Sequence, residues 1–544
     1  MKHKSVGQIR LLPDLPQPYE IRDWRKVAHD YDNYVFDFEL KGDFLPHIWL
    51  DEEGNSFGIP SYVCAADKKK GTLHESITCV ASVVGASIAG IDKRLQIHDY
   101  VKMCECYYSH AEKVIKNIPD MAGGKTGGSI WYDAYASITF LTLRNYYPGH
   151  GNLDEYAVSA ADSWRRAVEI LADQSADGIP DFNFTGFDFS VMKPRTNGRW
   201  VEPEGAAGAA WICMAGYAMT GEKKFLCAAD KALAFLKKSQ RNPTYEILMP
   251  YGVLVAARLN AEEGGDYPVE KLLDYTFNGD SYCRPGWGLI AERWGDYDCH
   301  GLVGSQTDNP FWGMDVSEEI KKSHSGYAFV TNTYSMVAAL LPVVRYDKSY
   351  ARDIGKLVLN TANASRLFYP AAHPIKRQTS GFWHGDPYNC LAYEGLRKRY
   401  DGHEPYATGD PIRFGWDTID IGMYGSSHVG YMGGVIETTE VEGILRLDCV
   451  RTDFFSKPTY PTWLYFNPFS EEKTVTLKLS EGVRDVYESL SETFTHRNAN
   501  GIAAIKIPAS SAVLVVDVPA NGVNLRDGTK YSVNGVVIDY NSTK

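Results

Sequence analysis

The chain has 544 residues, 44% hydrophobic and 23% charged, with a formal net charge of −12. This is ordinary globular composition, and the length suits two to four domains or one large helical ring. The acidic balance argues against a nucleic-acid partner, and no run of about 18 apolar residues offers a membrane span. A local basic cluster can still outweigh the global charge, so an anionic small substrate remains compatible.

The N-terminus, MKHKSVGQIRLLPDLPQPYE, carries basic residues without an apolar stretch behind them. That reads as cytoplasmic, or as periplasmic if a leader was trimmed. Ten cysteines include several in apolar helical stretches, such as Cys213. They read as buried free thiols of a reducing compartment. Neither CxxC nor HExxH occurs, and Cys104 and Cys106 point to different faces of a helix, so no metal and no cofactor is expected.

Residues 1–71 show no sustained helical period, and NYVFDFEL and LPHIWLDEEG read as strands and loops packed on the helical region after them. From 72 to 455 helical segments come in pairs: 73–89 with 94–117, 129–145 with 153–174, 204–219 with 222–239, 245–263 with 268–276, 327–345 with 349–366, and 388–399 with 435–453. Short connections within the first five pairs make antiparallel neighbours. The first helix of most pairs is apolar nearly all round, and the second has a charged face, as in EKKFLCAADKALAFLKKSQ. All-round apolar helices are buried and one-faced helices lie outside them. The reading is a mainly α protein, an (α/α)6 toroid of six helical hairpins; a generic bundle or another solenoid is the alternative. Residues 456–544 alternate or run apolar between Gly, Asn and Pro, and read as a C-terminal antiparallel β-sandwich.

The connections between pairs are long, at 118–128, 175–203, 277–326 and 367–387, with only 240–244 short. In a ring of hairpins they gather at one end, and long loops in a compact domain are usually functional. They are rich in Gly, Trp and acids.

The order of elements resembles the six-hairpin glycosidase superfamily, and HESITCVASVVGASIAGIDK, NGRWVEPEGAAGAAW, ERWGDYDCHGLVGS, AYEGLR and YGSSHVG look like a bacterial sugar-active family of that layout. The nearest resemblance is to glycoside hydrolase family 154, which includes β-glucuronidases. It implies an exo-acting glycoside hydrolase working on an oligosaccharide with a uronic acid or other anionic sugar. The superfamily also holds lyases and epimerase-like relatives, so the fold alone does not fix the reaction.

Hydrolysis of a glycoside needs two carboxyl groups across the scissile bond. The candidates are Asp133, one turn into an inner helix; Glu202, held extended before Pro203; and Asp296 and Asp298 in GWGLIAERWGDYDCHG, near Glu292 and Asp308. Glu204 is equally a first-turn acid favoured by the helix dipole, Asp133 a structural hydrogen-bonding group, and Asp296 with Asp298 a turn or cation cluster. Substrate contacts are expected from His74, Trp131, Arg199, Trp200, Trp287, Arg293, Trp294, His300, Trp383 and Asp386, with Lys193, Arg195 and Trp312 beside them. Indole faces suit sugar rings and the arginine fork suits a carboxylate, against the alternatives of core filling and ordinary salt bridges. Asp386 doubles as a helix cap, and Glu394 in AYEGLR reads as structural. Two rival readings are a polysaccharide lyase with Tyr or His74, His300 or His384 as base, and a non-catalytic glycan-binding protein. The sequence leaves a homo-oligomer open.

Overall fold

The computed structural model describes residues 3–61, 74–306, 325–400, 402–410, 412, 419–421 and 423–543. Its main helices are α1 (Trp24–Val35), α2 (Ser76–Ala89), α3 (Ile130–Tyr146), α4 (Leu153–Asp173), α5 (Gly205–Thr220), α6 (Lys223–Lys238), α7 (Met249–Glu263), α8 (Val269–Phe277), α9 (Val330–Leu340), α10 (Ala351–Ala364) and α11 (Val429–Gly433). Helices α2, α3, α5, α7, α9 and α11 each pack on the next, and α11 packs back on α2. That closed cycle is the inner ring of a toroid. Every residue of α2 is buried, as its apolar, small-residue composition requires, whereas α4 and α6 bury one face.

Ring closure depends on glycine. A Cβ on Gly430 would lie 2.1 Å from the Gly85 carbonyl oxygen, and one on Gly85 2.9 Å from that of Ser427. The first and last inner helices therefore touch backbone to backbone, an approach open only to residues without a Cβ.

Four hairpins follow the sequence pattern closely, from α3 with α4 to α9 with α10. The first and the last do not. The expected helix 94–117 is a single turn, Tyr100–Met103, then a 3-10 turn and a two-stranded ribbon, Tyr108–Ser109 with Val114–Ile115. The sixth hairpin is not 388–399 with 435–453. Its inner member is α11, preceded by the turn Met423–Ser426, and α1 from the N-terminal region packs on α11 and α2 as its outer member. Asp23 accepts from the Lys26 N–H at 3.0 Å and caps α1. The N-terminal segment is thus part of the ring.

At the mouth, where the inner helices begin, lies an antiparallel sheet of β1 (Trp287–Leu289), β4 (Val303–Ser305), β5 (Tyr327–Phe329), β6 (Gly395–Arg397) and β7 (Tyr406–Ala407), in spatial order β7-β6-β5-β4-β1. Between β1 and β4 the chain makes a hairpin, β2 (Arg293–Trp294) with β3 (Tyr297–Asp298).

The C-terminal sheet begins inside the range assigned to the ring. Strands β8 (Ile436–Thr438), β9 (Leu445–Asp448), β10 (Thr462–Phe466), β11 (Lys473–Glu488), β12 (Thr493–Ile507) and β13 (Ala512–Pro519) form one antiparallel sheet in the order β8-β9-β10-β13-β11-β12. One face, with Leu464, Phe466, Ala512 and Leu514, joins the ring core beside α10. The register shifts between Lys478 and Val483, and the far half of the β11–β12 hairpin covers the other face, so Val475, Leu477, Ile505 and Ile507 pack on Tyr465, Val513 and Val515. A second sheet, β14 (Asn524–Asp527), β15 (Lys530–Val533) and β16 (Val536–Asp539), rests on Tyr487, Val516 and Val518. Lys348, 2% exposed, joins ring to sheets by ion pairs to Asp539 at 2.7 Å and Glu492 at 3.1 Å. Among the described residues no helix is long and apolar enough to cross a membrane.

Candidate active site

The segment Glu202-Pro203-Glu204 ties together three inner helices. Glu202 accepts from the Ser129 hydroxyl at 2.7 Å, the Trp131 N–H at 3.1 Å and the Trp200 indole N–H at 3.0 Å. It thereby caps α3. Glu204 turns the other way and accepts from the N–H groups of Tyr245, Glu246 and Met249 at 3.0, 2.6 and 2.5 Å, capping α7. Burial pushes both carboxyls up to about 7, against the pull of these donors and of Arg284.

The next acid sits in front of α7. Glu246 takes an ion pair from Arg284 on one oxygen, and its other oxygen is buried without a hydrogen-bond partner among the described residues. Arg284 is fixed by lying over the rings of Trp287 at 3.9 Å and Tyr245 at 4.9 Å. The Trp287 indole N–H and the Asn332 amide both donate to the Glu246 carbonyl, at 3.1 and 2.9 Å. The amide oxygen of Asn332 is also buried without a donor among the described residues. Two acceptors left unmet in one place are costly unless something fills them, and sugar hydroxyls are suitable donors.

Across the mouth stands Glu394, which lies just before β6 and not in a helix. The Tyr327 hydroxyl donates to one oxygen and the Asp410 N–H to the other at 3.1 Å. Burial, and then the neighbouring Asp410 carboxylate, push the Glu394 carboxyl up to about 8. Arg397 pairs with Asp410 at 2.6 Å and lies 4.2 Å over the Tyr327 ring. Aromatic contacts join the two halves: Trp287 to Phe329, Phe329 to Tyr424 and Tyr327, with the Tyr424 hydroxyl 3.4 Å from that of Tyr132. Tyr132 feels the charges of Glu75, Tyr245 and Glu394, and burial before all else holds its hydroxyl above its ordinary range. Tyr132 and Tyr245 remain partly exposed. The cluster therefore holds a carboxyl whose protonated form is favoured by burial and a separate arginine-paired carboxylate.

Of the residues singled out by sequence, the structure brings Glu202, Trp131, Trp200 and Trp287 to this mouth. Trp131 and Trp287 are only 3% and 1% exposed, so they serve as backing for Tyr132 and Arg284 rather than as open faces. Asp133 is buried, follows Tyr132 on α3 about 100° round the helix, and accepts from Gly127 N–H at 3.2 Å; burial, and then the charges of Glu202 and Glu112, raise its carboxyl well above its ordinary range. His74 is buried against Tyr107, and burial lowers its imidazole to about 4. Arg199 is exposed at the rim. Lys193 and Arg195 lie on a two-stranded ribbon, with Arg195 paired to Asp188 at 2.7 Å.

A second group lies elsewhere, contrary to expectation. Arg293, Trp294, Asp296, Asp298 and His300 sit on or beside the β2–β3 hairpin, against the N-terminal segment and the far end of α10. Asp298 accepts from Gln17 N–H at 3.2 Å and bonds His300; Asp296, 66% exposed, pairs with Arg377 at 2.6 Å. Arg293 donates to the carbonyls of Gln17 and Asp296, and Trp294 is fully buried with its N–H on Glu292. Glu292 also pairs with Lys398 at 3.0 Å, next to Arg397 of the Glu394 cluster, but among the described residues Asp296, Asp298 and His300 make no hydrogen bond or ion pair with Glu202 or Glu394. The acids that looked convergent in sequence are taken up singly, Asp296 by Arg377 and Asp298 by Gln17 and His300. Trp383 packs on Phe44 and His47, and Asp386 holds the N–H groups of Tyr388 and Leu391 in a loop, not a helix. His384 is exposed, and Asp308 and Trp312 lie outside the described residues.

Sequence reasoning passed over Glu246, Arg284 and Glu394. The signal available for Glu246 was its place directly before an inner helix, the position Glu202 and Glu204 share. Among the described residues no three His, Cys, Asp or Glu side chains converge to hold a metal ion.

No family model and no curated protein matches the sequence. Among solved structures the chain is similar to a GH127 β-L-arabinofuranosidase from Geobacillus stearothermophilus T6, at 10% identity and TM-score 0.38 over 95% of this chain and 85% of that one. It is also similar to a D-mannose isomerase, at 10% identity and TM-score 0.40 over 77% and 98%, and to an α-L-rhamnosidase from Dictyoglumus thermophilum, at 11% and 0.34 over 83% and 46%. Likeness this distant decides no chemistry, which must come from the groups at the mouth.

Proposed function

We propose that the protein is a glycoside hydrolase in which Glu394 is the general acid and Glu246 the second carboxylate. The observation that carries this reading is the Glu394 carboxyl. It is buried at the mouth, where burial and the Asp410 charge favour its protonated form against the hydrogen bonds it accepts from Tyr327 and the Asp410 N–H. A general acid works best with a pKa near the working pH, and its proton goes to the departing glycosidic oxygen. Glu246 supports the complementary role. Arg284 takes one of its oxygens, and the other, buried and without a hydrogen-bond partner among the described residues, is left to act on a water or on the sugar carbon once substrate is bound. The unmet acceptor on Asn332 suits a hydroxyl of the terminal sugar. On this reading Glu202 and Glu204 hold three inner helices in register so that the two acids face one space.

The substrate on this reading is an oligosaccharide. For an acidic terminal sugar such as a glucuronide, as family 154 would take, the mouth arginines give limited support. Arg284 and Arg397 are each already paired with a carboxylate.

The test is turnover of a panel of 4-nitrophenyl glycosides, neutral and uronic, together with oligosaccharides followed by mass spectrometry. Hydrolysis products are expected. Glu394→Gln should lower kcat by about 10²–10⁴-fold while sugar binding by calorimetry persists. A product carrying a new ultraviolet-absorbing double bond would make the protein a lyase instead. Binding without turnover in the wild type would make it a glycan-binding protein, and wild-type turnover in Glu394→Gln would remove Glu394 from the chemistry.

A further inference from the structure

We propose that a cleft on the rim of the mouth, walled by Ile179, Asp181, Phe235, Arg241 and Tyr282, binds an acidic sugar of the substrate chain beyond the one cleaved, with Arg241 reading its carboxylate. This rests on the glycosidase reading of the mouth and deepens it by naming the substrate class.

The cleft holds about 530 Å³ between the loop after α4, the end of α6 and Tyr282, within the usual size of a small-molecule site. Its link to the mouth is covalent and short. Tyr282 lines the cleft, while Arg284, two residues on, binds Glu246 in the mouth. Two residues span at most about 7 Å of extended chain, so the two sites are neighbours on one segment. The Tyr282 N–H donates to the Asn242 carbonyl at 3.1 Å, which anchors that segment to the turn before α7.

The charges of the cleft then select the ligand. Lys238 is engaged by Asp177, and Asp181 is turned onto Asn183, accepting from its N–H at 2.9 Å and its amide at 2.6 Å. Tyr282 donates its hydroxyl to Asn183 as well. Arg241 differs. Its guanidinium lies 4.5 Å over the Tyr282 ring, and among the described residues it makes no ion pair. The cation–π contact holds the guanidinium beside the ring, and its N–H groups, in no ion pair among the described residues, can meet a carboxylate bidentately. Phe235 gives an apolar face for the C–H side of a ring, and Asp181 an acceptor for hydroxyls. In a chain of net charge −12, a stacked and unpaired arginine on the mouth's rim is the feature that favours an acidic over a neutral glycan.

The test is binding of tri-galacturonate and of neutral cellotriose, by calorimetry, to the full chain carrying Glu394→Gln so that neither probe is consumed. Adding Arg241→Gln is expected to weaken tri-galacturonate about tenfold, the worth of one charge-assisted contact, and cellotriose less than threefold. Adding Asp181→Asn instead should tighten tri-galacturonate, because it removes the opposing charge. Both surface variants should melt with the parent. Equal affinity of parent and Arg241→Gln for tri-galacturonate, or no binding of it by the parent, overturns the proposal. Turnover of short chromogenic glycosides by the wild type, measured separately, decides the mouth, so failure of the cleft and failure of the glycosidase reading remain distinct.

Discussion

Replacing Glu394 by glutamine should stabilise the protein more at pH 8 than at pH 5. In the folded chain burial and Asp410 raise this carboxyl from its ordinary 4.5 to about 8. Between those values the native state keeps a proton that the unfolded chain has released. Stability contributed by the protonated acid is therefore fully present below pH 4.5 and is lost as pH rises toward 8. Each pH unit climbed between the unfolded and folded values costs about 1.4 kcal/mol, so the penalty is about 1 kcal/mol at pH 5 and about 4 kcal/mol at pH 8. The group is fully buried, so solvent screening does not reduce it. Glutamine has the shape of the protonated acid and does not titrate. The amide accepts from Asp410 N–H and donates to Tyr327, and Glu202, Glu204 and other acids titrate alike in both proteins and cancel. Urea unfolding at the two pH values should show Glu394→Gln gaining about 3 kcal/mol on the wild type between pH 5 and pH 8. The same difference at both would mean that the carboxyl is ionised throughout, and the reasoning that makes Glu394 an acid would fail.

Glu204→Ala strips acceptors from three backbone N–H groups at the start of α7 and should cost about 3–5 kcal/mol, seen as an early thermal transition. Asp298→Asn should leave kcat within a few fold of wild type, because among the described residues Asp298 bonds only Gln17 and His300; a hundredfold loss would place that hairpin in the chemistry after all. Lys348→Met leaves Asp539 and Glu492 without their buried cation and should cost about 3–5 kcal/mol, with the C-terminal sheets becoming protease-sensitive before the ring. Arg284→Ala should lower kcat by at least about tenfold, through loss of the group that fixes Glu246; an unchanged pH–rate profile would count against Glu246 as the partner acid.

The sequence by itself determined the helices that pack on their neighbours in order. Apolar runs with a 3.6-residue period, small residues where helices touch and short turns placed α3 to α10 within a few residues, because all of these act over one or two turns of chain. It also marked Glu202 as a mouth residue, through Pro203 and the helix after it. Tertiary structure alone decided how the ring closes. α11 is only five residues long, and its outer partner α1 lies about four hundred positions earlier, so no local period announces the pair. The same holds for the acids. Asp296, Asp298 and Glu394 look alike along the chain, but the first two lie on a hairpin and pair with Arg377 and His300, while the third is brought under Tyr327, against Asp410, and out of water. Desolvation, which turns a carboxylate into a proton donor, is the sum of everything packed around a group, and most of what surrounds Glu394 is remote from it in sequence.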